Sequence, residues 1–202
     1  WMGTRCRAHQ PRRKRFALQA HRPQLIRMPL AALVTSFVLL CTTDFVLGTN
    51  SRWVVLGSGD KRLEDEMRAL AAEAPDKVAL VAKLDEAMSH LIEAGSDFFV
   101  MPSLFEPCGL NQMYSQVYGT VPIVSRVGGL ADTVTDADEF PSTGTGLMCE
   151  PNAGSLGDAL GRALVLYADK RRYSAVQQRG MARDFSWKVA AAGYENLYRE
   201  AL

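Results

Sequence analysis

The first 43 residues contain no aspartate or glutamate, although the 202-residue chain carries 22 acidic side chains against 23 basic ones. Arg5, Arg7, Arg12, Arg13, Lys14, Arg15, Arg22 and Arg27 are therefore gathered into a basic leader, and everything from Asp44 onward is net acidic. The overall charge of +1 argues neither for nor against a polyanionic partner, and no nucleic-acid partner is expected. Cysteine is scarce: Cys6, Cys41, Cys108 and Cys149 are scattered without a CxxC pair. That spacing speaks against a disulfide framework or a zinc site and suits reduced intracellular thiols. No metal and no cofactor is expected. The apolar run "MPLAALVTSFVLLC", Met28 to Cys41, is shorter than the roughly 20 residues a membrane span needs, and Asp44 blocks its extension. A membrane partner is not expected either. Internal repeats and low-complexity tracts are absent.

Three readings of the leader stand open. It is a targeting segment, a buried strand or helix, or sequence foreign to the folded protein. A basic stretch before an apolar run fits a signal peptide, and an Arg-rich, acid-poor one fits an organellar transit peptide. The chain opens on Trp1 rather than Met, so a translation start upstream is expected. Residues 1–51 are left as an unassigned leader and residues 52–202 as the folded domain.

From Arg52 the pattern alternates between two periods. "WVVL", Trp53 to Leu56, is a continuous apolar run of the kind buried on both faces of a sheet. Asp60 can cap a helix through Ala74 that turns Leu63, Met67, Leu70, Ala71 and Ala74 to one side. "KVALVA", "FFVM" and "VPIVS" are further strands. Between them lie a helix over 85–95, with Met88, Leu91 and Ile92 inward, and another over 110–118. Leu147 to Cys149 makes a short last strand. Three helices follow, over 155–168, 170–182 and 187–202, with Ser186 as a cap and Trp187 as an anchor. Such alternation indicates βαβ units and an α/β parallel sheet with a helical C-terminal end. "DADEFPSTGTG", Asp136 to Gly146, reads as a surface loop with ligand contacts open to it.

In an open parallel sheet, ligands bind beyond the carboxyl ends of the strands. Three loops leave strands at that edge: "GSGD" (Gly57 to Asp60), "PSLFEPCGLNQ" (Pro102 to Gln112) and "SRVGGLADT" (Ser125 to Thr133). Two lead straight into helices, whose first N–H groups lack intrahelical partners and attract phosphate. Gly109 lets the backbone approach a ligand, the amides of Leu110 and Asn111 point at it, and Glu106 accepts hydrogen bonds from sugar hydroxyls. The combination describes a site for something bearing both hydroxyls and phosphates. Each piece also has a plain alternative. Gly57 and Gly59 fit a tight turn with a helix cap, and Arg62 stands where a GxGxxG motif needs its third glycine. Gly128 and Gly129 alone are ambiguous. Cys108 is a structural thiol or a thiolate nucleophile. His90 is a core-edge histidine or a ligand contact.

Taken together, "FEPCGLNQMYSQVYGTVPIVSRVGGLADTV" resembles the C-terminal half of glycogen and starch synthases, retaining glucosyltransferases built from two facing Rossmann-like domains. The likeness runs from "VVLGSGD" through "HLIEAGSDFFVMPSLFEPCGL" and "GTGLMCEP" to "DFSWKVAAAGYENLY", roughly three quarters of the chain. The resemblance implies a partial Rossmann-like parallel sheet with flanking helices. It makes Glu106 the catalytic-site carboxylate that holds the donor glucose hydroxyls. The backbone at Cys108, Gly109 and Leu110 would cradle sugar and phosphates, with Asn111 beside the diphosphate and Gln112 and Tyr114 supporting the loop. The implied donor is ADP-glucose, or UDP-glucose in some relatives. The implied acceptor is the non-reducing end of an α-1,4-glucan, and the setting is the cytoplasm, or a plastid if the leader is a transit peptide. Four departures accompany it. No "RLxxQKG" segment with its Arg and Lys precedes the "GSGD" strand, and Leu104 stands where the family has Arg. Leu84 replaces an aromatic beside the nucleotide base, and the N-terminal domain has no counterpart. The chain is thus expected to be an incomplete C-terminal domain.

Overall fold

In a computed structural model of the chain, residues 24–29, 43 and 45–201 are described, the first six as main chain only. Six strands form one parallel sheet: β1 (Gln24–Pro29), β2 (Ser51–Leu56), β3 (Val78–Val81), β4 (Phe98–Met101), β5 (Val121–Ser125) and β6 (Leu147–Cys149). Their spatial order is β3-β2-β1-β4-β5-β6. The progression therefore reverses between β1 and β4, which opens a crevice at the carboxyl edge there. β1 pairs Gln24–Pro29 with Ser51–Leu56 and sets Ile26 beside Phe98. The sheet thus reaches upstream of the boundary expected at residue 52. Most of the apolar run through Cys41, and all of residues 1–23, lie outside the described residues.

Side-chain alternation explains why the sheet holds two layers apart. Phe98 and Val100 enter the larger core with Trp53, Val55, Ile123, Leu147 and Leu160, while Phe99 and Met101 enter a second cluster with Val124, Leu130, Val134 and Met148. All four β4 residues are buried, as a strand covered on both faces requires. The helices are α1 (Lys61–Glu73), α2 (Glu86–Gly95), α3 (Asn111–Tyr118), α4 (Gly128–Thr133), α5 (Ala153–Ala168), α6 (Lys170–Met181) and α7 (Trp187–Ala201). Asp60 caps α1 by accepting from Leu63 N at 3.2 Å, and Asp85 caps α2 by accepting from Met88 N at 2.9 Å. That hydrogen bond, helped by Lys83, holds the Asp85 carboxyl below its ordinary range. Residues 45–48 form a helical turn, and Lys77 Nζ donates to the carbonyls of Val46, Leu47 and Thr49 that end it.

Three local expectations turn out differently. The buried stripe of α2 runs through Ile92 and Glu93, so Met88 is exposed and Leu91 is 68% exposed. Glu93 takes an inward position, fully buried, with His90 Nδ1 3.5 Å from its carboxylate. Trp187 anchors nothing among the described residues; it is 81% exposed, and α7 buries no side chain at all. The loop over 136–146 is not simply a surface loop, since Asp136, Ala137, Gly144, Thr145 and Gly146 are buried. Asp136 accepts from Asp138 N at 2.8 Å, Met148 N at 2.7 Å and Arg162 Nη1 at 3.1 Å. Arg162 and Arg172 both also donate to Asp138, which ties the loop and β6 to α5 and α6.

Removing the Asp136 carboxylate leaves Arg162 its bonds to Asp138 and the Met148 carbonyl but takes the acceptor from the N–H groups of Asp138, Glu139 and Met148, so Asp136→Ala is expected to cost about 3 kcal/mol in urea unfolding. Burial raises the Asp138 pKa, but Arg162 and Arg172 outweigh it and hold the carboxyl below its ordinary value. Its contribution is therefore complete above the usual aspartate pKa of about 4 and lost as pH falls through the lowered folded-state value. The stability gap between the native chain and Asp138→Asn should be flat above about pH 5 and close below about pH 4. Unfolding curves across pH 2–7 check this.

Candidate functional site

β4 delivers the central loop to the carboxyl edge at the point where strand order reverses. Pro102 and Ser103 are still buried; Leu104 and Phe105 then turn outward, Phe105 to 80% exposure. Glu106 is half-buried, and among the described residues no side chain pairs with its carboxylate. Cys108 is exposed, with only the Gly109 carbonyl, 3.5 Å from Sγ, as a partner. Gly109 has φ +72°, a left-handed conformation that only glycine adopts freely. α3 starts immediately after, with Leu110 at its N-cap and no side-chain cap on its first turn. Its leading N–H groups, including those of Asn111 and Gln112, are left at the loop, where anions are favoured. The Asn111 side chain is half-buried and unpaired among the described residues.

The glycine pair after β5 serves this loop. Gly129 N donates to the Glu106 carbonyl at 3.1 Å. A Cβ on Gly128 would stand 2.1 Å from that carbonyl oxygen, and one on Gly129 would stand 2.2 Å from the Cys108 oxygen. No side chain fits at either position. α4 is a six-residue helix, and its start is packed by main chain of the Glu106 loop.

Gln112 completes the arrangement from the first turn of α3. It is fully buried, and Nε2 donates to the carbonyls of Cys108 at 3.1 Å and Gly109 at 3.0 Å and to Thr133 Oγ1 at 3.0 Å. The amide oxygen is thereby turned toward Gly109, where a Cβ would meet it at 2.5 Å. Gln112 thus grips the loop from beneath. Gln116 and Thr133 belong to the same system and escaped sequence reasoning. The available signal was two amides at i and i+4 on a short helix between two buried strands.

The remaining candidates lie apart. Gly57, at φ 144°, donates from N to the Val81 carbonyl, and Gly59 N donates to Glu64 Oε1 at 2.8 Å. They build the turn into α1, and β1 stands between that turn's strand and β4. His90 lies between α2 and α3, edge-on to Tyr114 with ring centroids 5.4 Å apart and within 3.4 Å of Tyr118 Oη. Cys149, buried at the end of β6, has its thiol pKa pushed by burial to about 11. Neither it nor Cys108 has a histidine partner among the described residues.

The sequence that builds this loop lies within a match to the family "Glycosyl transferases group 1" over residues 30–178. The chain belongs to the group 1 glycosyl transferases. The match begins upstream of the "VVLGSGD" segment. Among curated relatives, the glycogen synthase of Opitutus terrae is 68% identical over 165 residues, which is 82% of this chain and 34% of that protein. The glycogen synthase 1 of Methylococcus capsulatus is 51% identical over 169 residues, again 34% of its length. The chain spans about a third of the relatives it matches. Among solved structures, the catalytic domain of starch synthase IV from Arabidopsis thaliana, bound to ADP and acarbose, superposes with a TM-score of 0.78 at 32% identity, covering 90% of this chain and 39% of that one. A sucrose-phosphate synthase from Thermosynechococcus elongatus shares the fold at 24% identity and TM-score 0.64, covering 88% and 45%. Among the described residues no helix of this glycosyl transferase is long and apolar enough to cross a membrane.

If Gly129 exists to admit the Glu106 loop, Gly129→Ala must displace main chain, which moves less readily than a side-chain tip. An overpacking cost of about 1–3 kcal/mol is expected in urea unfolding. Gly157→Ala, at an open helical position, should be neutral or stabilising and serves as the control.

Proposed function

We propose that this chain is the donor-sugar part of a glycogen or starch synthase, a hexosyltransferase that moves glucose from ADP-glucose to the non-reducing end of an α-1,4-glucan. The observation that carries the reading is the 68% identity with a glycogen synthase across the stretch that builds the Glu106 loop. The ADP in the starch synthase IV complex supports an adenine nucleotide as donor, with UDP-glucose as the variant seen in more distant relatives. Such an enzyme would act in the cytoplasm, or in a plastid if the basic leader is a transit peptide, for which the pairing of β1 leaves only the residues ahead of Gln24.

The loop offers the chemistry this reaction needs. The leaving nucleoside diphosphate gains charge as the glycosidic bond to it breaks, and preorganised donors stabilise that charge best. The N–H groups at the start of α3 supply them, oriented by the Gly109 turn. The Glu106 carboxylate, with no side-chain partner among the described residues, accepts hydrogen bonds from the glucose hydroxyls, and its negative charge favours the positive charge that develops on the ring. The exposed Cys108 thiol borders this space without a base to activate it among the described residues.

Two measurements test this. Without the Arg and Lys of the "RLxxQKG" segment, about two charge-assisted hydrogen bonds of roughly 1.5–3 kcal/mol each are missing, so ADP should bind this chain two to four orders of magnitude more weakly than it binds a complete synthase. Micromolar binding by calorimetry would contradict that. In a chimera carrying the N-terminal domain of the Opitutus terrae relative, Glu106→Gln should leave unfolding and ADP affinity nearly unchanged and lower turnover strongly. Cys108→Ser should cost far less. An active Glu106→Gln beside an inactive Cys108→Ser would overturn the assignment.

A further inference from the structure

α3 is a helix turned inside out. Its buried side chains are Gln112, Ser115 and Gln116, while Tyr114, Val117 and Tyr118 face outward. Buried amides are costly unless their hydrogen bonds are made; here both Nε2 groups make theirs, while the Oε1 atoms of Gln112 and Gln116 have no partner among the described residues. Its polar stripe makes a closed circuit. Gln112 Nε2 holds the carbonyls of Cys108 and Gly109 and the Thr133 hydroxyl. Thr133 Oγ1 in turn donates to the Gly129 carbonyl at 2.5 Å. Gly129 N reaches back to the Glu106 carbonyl. Gln116 Nε2 braces the circuit by donating to the Gln112 and Thr133 carbonyls, both at 3.1 Å.

Resting on the donor reading above, we propose that Gln116 and Thr133 are positioning residues for glucosyl transfer: through Gln112 and Gly129 they fix the main chain of the Glu106 loop. Neither touches the site itself. Thr133 is the end of α4 and Gln116 the last turn of α3, so each acts through Gln112 or Gly129, whose bonds reach the loop's main chain. The circuit joins the carbonyl of Glu106 to those of Cys108 and Gly109. A slip in it shifts the carboxylate and the α3 amides relative to each other, and a displacement of about 1 Å at a reacting centre is enough to lower turnover about a hundredfold.

The test uses the chain as it stands, with ADP as the probe. Thr133→Val keeps the side-chain shape and removes the hydroxyl; Thr133→Ser keeps the hydroxyl and loses a methyl; Gln116→Leu removes the brace. Amide exchange at Gly129 should quicken at least tenfold in Thr133→Val, with β4 and β5 unchanged, and ADP should bind severalfold more weakly by NMR titration. Thr133→Ser should restore both, even where its thermal midpoint is the lower of the two. Gln116→Leu should weaken ADP without lowering the midpoint. Unchanged Gly129 exchange and ADP affinity in Thr133→Val, or a Thr133→Ser indistinguishable from it, would overturn the proposal. If the unsubstituted chain binds no ADP, the donor reading falls, and exchange at Gly129 alone then decides whether the circuit orders the loop.

Discussion

Two stretches of main chain approach each other more closely than side chains allow, and the site depends on that approach. The loop after β4 and the start of α4 are packed backbone to backbone, with a Gly129 N–H on the Glu106 carbonyl and no room for a Cβ at either glycine. The contact fixes where the Glu106 carboxylate emerges and where the first amides of α3 point. Loops usually gain mobility from surface position, yet this one has its carbonyls held from below by a buried amide. A rigid loop suits a site that must meet developing charge without reorganising.

The same constraint explains the unusual interior. A group that binds backbone carbonyls from beneath must be a donor, so the helix under the loop buries glutamine rather than leucine. Apolar residues displaced from that stripe appear on the outside, as Tyr114, Val117 and Tyr118. Elsewhere the sheet follows ordinary rules, with β4 alternating between two hydrophobic clusters. A second polar anchor, Asp136 with Arg162, holds the loop before β6 to that strand and to α5.

The chain's own pattern made five of the six strands visible, because continuous apolar runs between helical periods have few alternatives. β1 was hidden: "QLIRMP" carries an arginine and a proline within a basic leader, and only its pairing between β2 and β4 reveals it. Helix faces were less readable. Leu91 looked inward by hydrophobicity, but the inward place went to Glu93, whose carboxylate lies 3.5 Å from His90 Nδ1. At the site, Glu106, Gly109 and the α3 amides were readable as a loop at a strand's end. The purpose of Gly128 and Gly129 was not, since a missing side chain does not say what takes its space. Gln116 and Thr133 act across 17 residues of sequence, a separation that no local pattern encodes.

On the proposed function, the locked loop after β4 is where a nucleoside diphosphate binds. An amide NMR titration of the chain with ADP tests it most directly. Saturable shifts concentrated at 106–112 and 127–129, with the "GSGD" turn and α7 quiet, are the result expected. Shifts centred on any other surface, or none at millimolar ADP, would contradict it.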